Sequence, residues 1–299
     1  MKTKGYVLAA LSALLYGLIP LFILPIKAGS FSLDTTLFYR FFIAAALLLG
    51  YLAYKKEALK MSESELLVMV LLGLFYALSS EFLFLGYDYL SAGIASSILF
   101  VYPVIVALIM FFFFKEKPGA LTGISLLVTL SGVIILSTKG ENFEINYTGL
   151  AVTLLSALFY ALYIVVVNKA KISFSGVKTT FYSMLFTSFY FLIKTVWLKQ
   201  SLAIPSIELF FNLTIFAFVT TVLSILALVY AIQYIGSTPT SIIGALEPIV
   251  AVLISVLLFQ EELTVTLAAG VLLIIIGVLI NIVSEDRKEK RQRKSIDYV

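Results

Sequence analysis

Two carboxylates and one guanidinium stand inside long runs of apolar residues. Glu81 follows Ser79 and Ser80 in one run, Glu247 precedes Pro248 in another, and Arg40 lies early in a third. Ionisable groups at membrane depth are costly and normally face a cavity or a partner. Glu81 has two functional readings, binding a substrate amine or carrying a coupled proton, and one structural reading, a carboxyl bonded to neighbouring hydroxyls. Tyr76 and Ser80 lie about a helical turn away. Facing lipid instead would cost about 2.5–3.5 kcal/mol, so Glu81 is expected to face a central cavity. Glu247 has the same choice between a solute and the backbone that Pro248 interrupts. Asp88, near a run end, is expected to reach headgroup water. Arg40 and Lys194 are expected to snorkel toward the interface in a fold-stabilising role.

Proline removes an amide donor and displaces the carbonyl four residues earlier. Pro103 and Pro248 would do this to Leu99 and Gly244 in the middle of their runs. Such breaks are tolerated where the freed backbone lines a cavity. Tyr16, Tyr76, Tyr102, Tyr160 and Tyr163 lie too deep for an interfacial aromatic belt. A buried tyrosine hydroxyl needs a partner; a polar cavity supplies one, and so does a neighbouring helix. With Ser79, Ser224, Glu81 and Glu247 they make the candidate substrate-binding set. The chain has no histidine and no cysteine. Zinc and serine-hydrolase chemistry therefore lack their usual groups, no P-loop is present, and neither metal nor cofactor is expected. If transport is coupled to protons, Glu81 and Glu247 are the best available carriers.

The elements that must position these groups follow from composition. Of 299 residues 61% are hydrophobic and only 13% charged, more apolar surface than a soluble chain of this length could bury. A helix needs roughly 20 apolar residues to cross the bilayer core. Ten windows qualify, near 6–26, 35–54, 65–89, 92–114, 119–138, 147–168, 179–198, 209–235, 239–259 and 264–283. None alternates with a period of two, which argues against a β-barrel. All but five of the 21 Lys and Arg residues fall on the side of the N-terminus; the exceptions are Lys27, Arg40, Lys139, Lys194 and Lys199. The positive-inside rule then puts both termini in the cytoplasm.

Leu-Ser-Ala-Leu-Leu-Tyr-Gly-Leu at 11–18 returns as Leu-Ser-Ala-Leu-Phe-Tyr-Ala-Leu at 155–162. At about the same offset Gly5 falls on Gly149, Tyr16 on Tyr160, Ser79 on Ser224, Tyr89 on Tyr234, Pro103 on Pro248, Glu116 on Glu261 and Gly132 on Gly277. Residues 1–140 and 141–284 thus read as two copies of a five-helix unit, with 285–299 a basic cytoplasmic tail. Five is odd, so the second copy is inverted. Inverted repeats are a transporter architecture, because two interchangeable halves give two related states.

The order of these residues resembles the drug/metabolite transporter superfamily, in its EamA-type ten-helix branch. The matching pieces are Tyr39-Arg40-Phe41, the run Tyr89-Leu90-Ser91-Ala92-Gly93-Ile94-Ala95-Ser96, Tyr102-Pro103 followed by Glu116, and Leu246-Glu247-Pro248 followed by Glu261. The resemblance implies an all-α polytopic protein with a central cavity lined by spans one, three, four, six, eight and nine. Spans five and ten would support it from outside. It also implies export of amino acids or other small metabolites.

The leading reading is a secondary transporter of small organic metabolites, an exporter of amino acids or related compounds working by alternating access, and not an enzyme. The other readings are a membrane scaffold or receptor and an intramembrane enzyme. Expected partners are a small-molecule metabolite, the lipid bilayer and, if transport is coupled, protons. No nucleic acid is expected, and the chain is a monomer or homodimer. Its expected place is a bacterial cytoplasmic (inner) membrane.

Overall fold

The computed structural model describes residues 2–28, 31–90, 92–115, 119–137, 146–170, 174–244 and 246–259, with parts of 265–280. Every regular element among the described residues is helical. Span one is α1 (Lys2–Tyr16) and α2 (Ile19–Ala28), span two α3 (Leu33–Tyr54) and span three α4 (Glu63–Tyr89). Span four is α5 (Ala92–Leu99) and α6 (Tyr102–Phe114), and span five α7 (Ala120–Ser137). Spans six and seven are α8 (Tyr147–Lys169) and α9 (Gly176–Trp197). Span eight joins α10 (Ile207–Ala217), a π-helical segment (Phe218–Leu223) and α11 (Ser224–Ile235). Span nine is α12 (Ser237–Ile243) and α13 (Leu246–Phe259), and an apolar helix at Ala268–Gly277 belongs to span ten. Glu116, Glu261 and the tail from 281 onward lie outside the described residues.

Six of these stretches are long and apolar enough to cross a membrane unaided: Lys2–Lys27, Leu33–Tyr54, Glu63–Tyr89, Tyr147–Lys169, Ile207–Ile235 and Ser237–Leu258. The apolar helices of spans four, five and ten are shorter, and α9 is dense in Ser, Thr and Tyr. That polar content suits a helix packed on α3 and α4. Helix starts are fixed locally. Ser62 and Glu65 form a capping box at α4, and Asn146, Ser175 and Ser206 accept amides at the starts of α8, α9 and α10. Each satisfies a donor that the helix itself leaves open.

The first helix of each half packs on the third helix of the other: α1 on α11, and α8 on α4. In bilayers such contacts rely on close approach at small residues. A Cβ at Gly5 would lie 2.6 Å from Ile235, and one at Gly149 would lie 2.7 Å from Leu90. Next along the same seams, Ser224 Oγ donates to the Ser12 carbonyl at 3.1 Å, and Ser156 Oγ donates to the Ser79 carbonyl at 2.7 Å. Related residues thus make related contacts, and the fold is two inverted five-helix repeats interleaved about one axis. Span five meets span ten through Ser125 Oγ, which donates to the Gly277 carbonyl at 2.9 Å.

Candidate functional site

Three helices break at one level. Span one stops at Tyr16 and resumes at Ile19, span four stops at Leu99 and resumes at Tyr102, and span nine stops at Ile243 and resumes at Leu246. Each break has a proline just beyond it. Pro103 and Pro248 lie four residues after Leu99 and Gly244, and Pro20 lies four after Tyr16. The missing amide leaves the i−4 carbonyl without its helical donor. At span nine the Glu247 amide turns back to the Gly244 carbonyl at 2.8 Å.

The breaks also touch one another. A Cβ at Gly17 would lie 2.7 Å from both the Glu247 carbonyl oxygen and Val250 Cβ. A Cβ at Gly244 would lie 1.9 Å from the Tyr102 hydroxyl. Glycine is required at both points because another backbone or a ring already fills the space.

Five tyrosines fill the junction. Tyr16 and Tyr160, related by the repeat, stack at 5.8 Å with 12° between their planes. Tyr160 also meets Tyr102 at 4.7 Å, Tyr76 at 6.3 Å and Tyr163 at 6.5 Å, and Tyr76 meets Tyr163 edge-on at 5.1 Å. All five are buried. The hydroxyls of Tyr76 and Tyr163 have no hydrogen-bond partner among the described residues. Buried Glu247 lies within electrostatic reach of Tyr16, Tyr102, Tyr160 and Arg40. Spans one, three, four, six and nine therefore contribute Tyr16, Tyr76, Tyr102, Tyr160, Tyr163 and Glu247 to one buried cluster.

Arg40 was expected to snorkel, and it does not. Its relative exposure is 0%. Nε donates to Thr221 Oγ1 at 2.7 Å, and Nη2 donates to Thr220 Oγ1 at 3.3 Å and to the Thr220 carbonyl at 3.4 Å. Both threonines belong to the π-helical segment of span eight, a geometry that recurs at functional sites. The guanidinium carbon stands 4.5 Å from the Phe216 ring, 5.1 Å from Phe41, and 5.9 Å from Tyr16 and from Phe84. An aromatic cage of this kind partly replaces water around a cation.

Glu81 is set apart from the tyrosines, contrary to expectation. It lies five residues after Tyr76 on one continuous helix, which places the two about 140° apart around the axis. Its carboxylate accepts from Tyr190 Oη at 2.5 Å and from Lys194 Nζ at 2.6 Å. Lys194 also pairs with Asp34 at 2.8 Å, and Gln200 Nε2 donates to Asp34 at 2.9 Å. These groups tie spans two, three and seven together at the end of the bundle opposite the N-terminus. Lys27 and Asp88 pair at the same end. Lys194 and Asp88 therefore have protein partners as well as access to water. Ser79 and Ser224 do not join the tyrosines either; they are the buried serines of the two helix seams.

Sequence reading missed Pro20, Arg40 as a buried group, and the Asp34–Lys194–Glu81 network. Pro20 carried the signal that revealed Pro103 and Pro248, a proline inside an apolar run, but no proline stands at the related position in span six. Arg40, Glu81 and Lys194 stood out as ionisable groups in apolar runs, but nothing local marked their partners, which are remote in sequence.

The comparisons agree with the fold. A solved crystal structure superposes with a TM-score of 0.78 over 97% of this chain and 100% of its own, at 14% identity. A likeness at that identity speaks for the fold. The uncharacterized transporter YvbV of Bacillus subtilis is 27% identical over 72% of this chain and 70% of its own length. An uncharacterized transporter of Clostridium kluyveri is 24% identical over 93% of each chain. The family model described as EamA-like transporter matches twice, at residues 3–138 and 147–283. With nearly its whole length covered by those two matches, the chain belongs to the EamA-like transporter family.

Proposed function

We propose that the chain is a secondary transporter that exports small organic metabolites, amino acids or related compounds, and that the tyrosine junction is its solute chamber. Family membership gives transport as the class of activity; the direction, the solute and the mechanism are this proposal's own. The observation that carries it is the meeting of three broken helices on one buried aromatic cluster. Breaks at mid-membrane expose backbone groups and let half-helices tilt independently, which is the arrangement transporters use around a bound solute. Tyr16, Tyr76, Tyr102, Tyr160 and Tyr163 would form its walls, with Glu247 as the acidic group within reach of an amine. Glu81, Ser79 and Ser224 would act in holding the helices together.

Alternating access would rock the two repeats about the shared axis. Two features support unequal ends. The end opposite the N-terminus is tied by Asp34, Lys194, Glu81, Tyr190 and Gln200. The N-terminal end holds a cavity of about 250 Å³ lined by Val167, Asn168, Ala170, Thr179, Ile232 and Gln233. With the Lys- and Arg-rich side in the cytoplasm of a bacterial inner membrane, this is a protein closed outward. The test is flux in proteoliposomes loaded with labelled amino acids and related metabolites. Protein-dependent movement that saturates with concentration is expected. No movement of any tested compound, from protein that folds normally, would return the chain to the scaffold reading.

A further inference from the structure

We infer that Arg40 is the anion-recognising group of the chamber, its Nη1 taking the carboxylate of the carried solute. The inference rests on the chamber reading proposed above. Arg40 is wholly buried, yet no carboxylate lies within salt-bridge distance of it among the described residues. Its Nε and Nη2 are held by Thr221 and Thr220, while Nη1 is buried with no hydrogen bond of normal geometry among the described residues, the Tyr16 hydroxyl being the polar neighbour that interacts with the guanidinium. A guanidinium remains charged in any protein setting. A buried donor left open on a permanent cation is costly, and an arriving carboxylate removes that cost with a charge-assisted bond.

The surroundings fix where the anion would sit. Of the four rings around the guanidinium, Phe216, Phe41, Phe84 and Tyr16, only Tyr16 carries a polar group, and it belongs to the tyrosine cluster. The threonines that aim the guanidinium stand on the π-helical segment, so its direction depends on that local widening of span eight. Glu247 lies within electrostatic reach of Arg40. A cation and a carboxyl bordering one aromatic cluster suit a solute that carries a carboxylate. The equivalent level of span seven offers Ser183 and Met184, both buried and uncharged. Among the described residues Arg40 is thus a cation that the related level of span seven does not repeat, and solute orientation follows from it.

The test uses the full chain in lipid nanodiscs with matched acids and amides: L-leucine and leucinamide, L-phenylalanine and phenylalaninamide, L-lactate and lactamide. Apparent Kd is read from the rise in unfolding midpoint with solute concentration. At least one acid is expected to bind about 10- to 100-fold more tightly than its amide. Arg40→Gln is expected to bring the two within about threefold. Thr221→Val, which frees Nε, should reduce the preference in part. Equal binding of acids and amides, no binding in any pair, or a preference that survives Arg40→Gln would each overturn the assignment. If Arg40→Gln does not fold, an unchanged preference in both Thr220→Val and Thr221→Val overturns it. Recovery of the preference in Arg40→Gln/Glu247→Gln would make Arg40 only a counter-charge to Glu247, which also overturns it. Flux of the same pairs keeps the two readings separate. Acid-selective binding without flux would reject transport and retain Arg40; equal flux of acid and amide would retain transport and reject Arg40.

Discussion

The two halves share their seams but differ at the tyrosine junction. Gly5 and Gly149 make the same close approach, and the Ser12–Ser224 pair has its counterpart in Ser156–Ser79. At the junction the symmetry fails. Span one breaks after Tyr16, whereas α8 runs unbroken through the related stretch. Span eight widens into a π-helical segment, whereas α4 stays regular. Tyr102 before Pro103 corresponds to Glu247 before Pro248. Under the proposed alternating access, matched seams let each half pack on the other in both arrangements. The proposed chamber, for a solute with unlike ends, has no such requirement.

The largest expected effect is at the breaks. Pro103→Ala, Pro248→Ala and Pro20→Ala each restore an amide, and an interior proline disfavours a continuous helix by about 3 kcal/mol. Transport is expected to fall by about an order of magnitude at equal amounts of folded protein, since small displacements at a site carry large rate costs. Wild-type flux in Pro20→Ala alone would remove span one from the shared junction. Wild-type flux in the other two would make their kinks bystanders.

Next comes the unequal pair Gly17 and Ala161. Gly17→Ala drives a methyl group into the Glu247 carbonyl and Val250, an overpacking worth about 1–3 kcal/mol. Ala161→Gly, on the unbroken helix, should cost about 1 kcal/mol. Unfolding midpoints of the two variants check each, and an unchanged midpoint in Gly17→Ala would refute the contact between the breaks of spans one and nine.

Glu81→Gln should lower stability by about 1–2 kcal/mol by weakening the Lys194 network and leave solute affinity unchanged. A raised Kd for a bound acid, with no loss of stability, would put Glu81 back in the chamber. The smallest effects belong to the seams. Ser156→Ala and Ser224→Ala should each cost about 0.6 kcal/mol, the typical worth of such bonds between membrane helices. Clearly unequal costs would show that the seams are not matched after all.

The sequence alone determined the ten apolar windows, the inverted repeat and two of the three break points. Each is a property of the chain read in order: run length, the return of Tyr16 and Ser12 at Tyr160 and Ser156, and prolines four residues past a carbonyl. Only the tertiary structure decided what the polar side chains meet. Glu81 looked like a neighbour of Tyr76 by spacing, but α4 turns them about 140° apart, toward different partners. Arg40 looked like an interfacial cation, but Thr221, 181 residues away, draws it into the interior. Run length and repeat spacing are written along the chain. The partner of a buried charge is set by contacts between segments, and so it becomes visible only when the helices are packed.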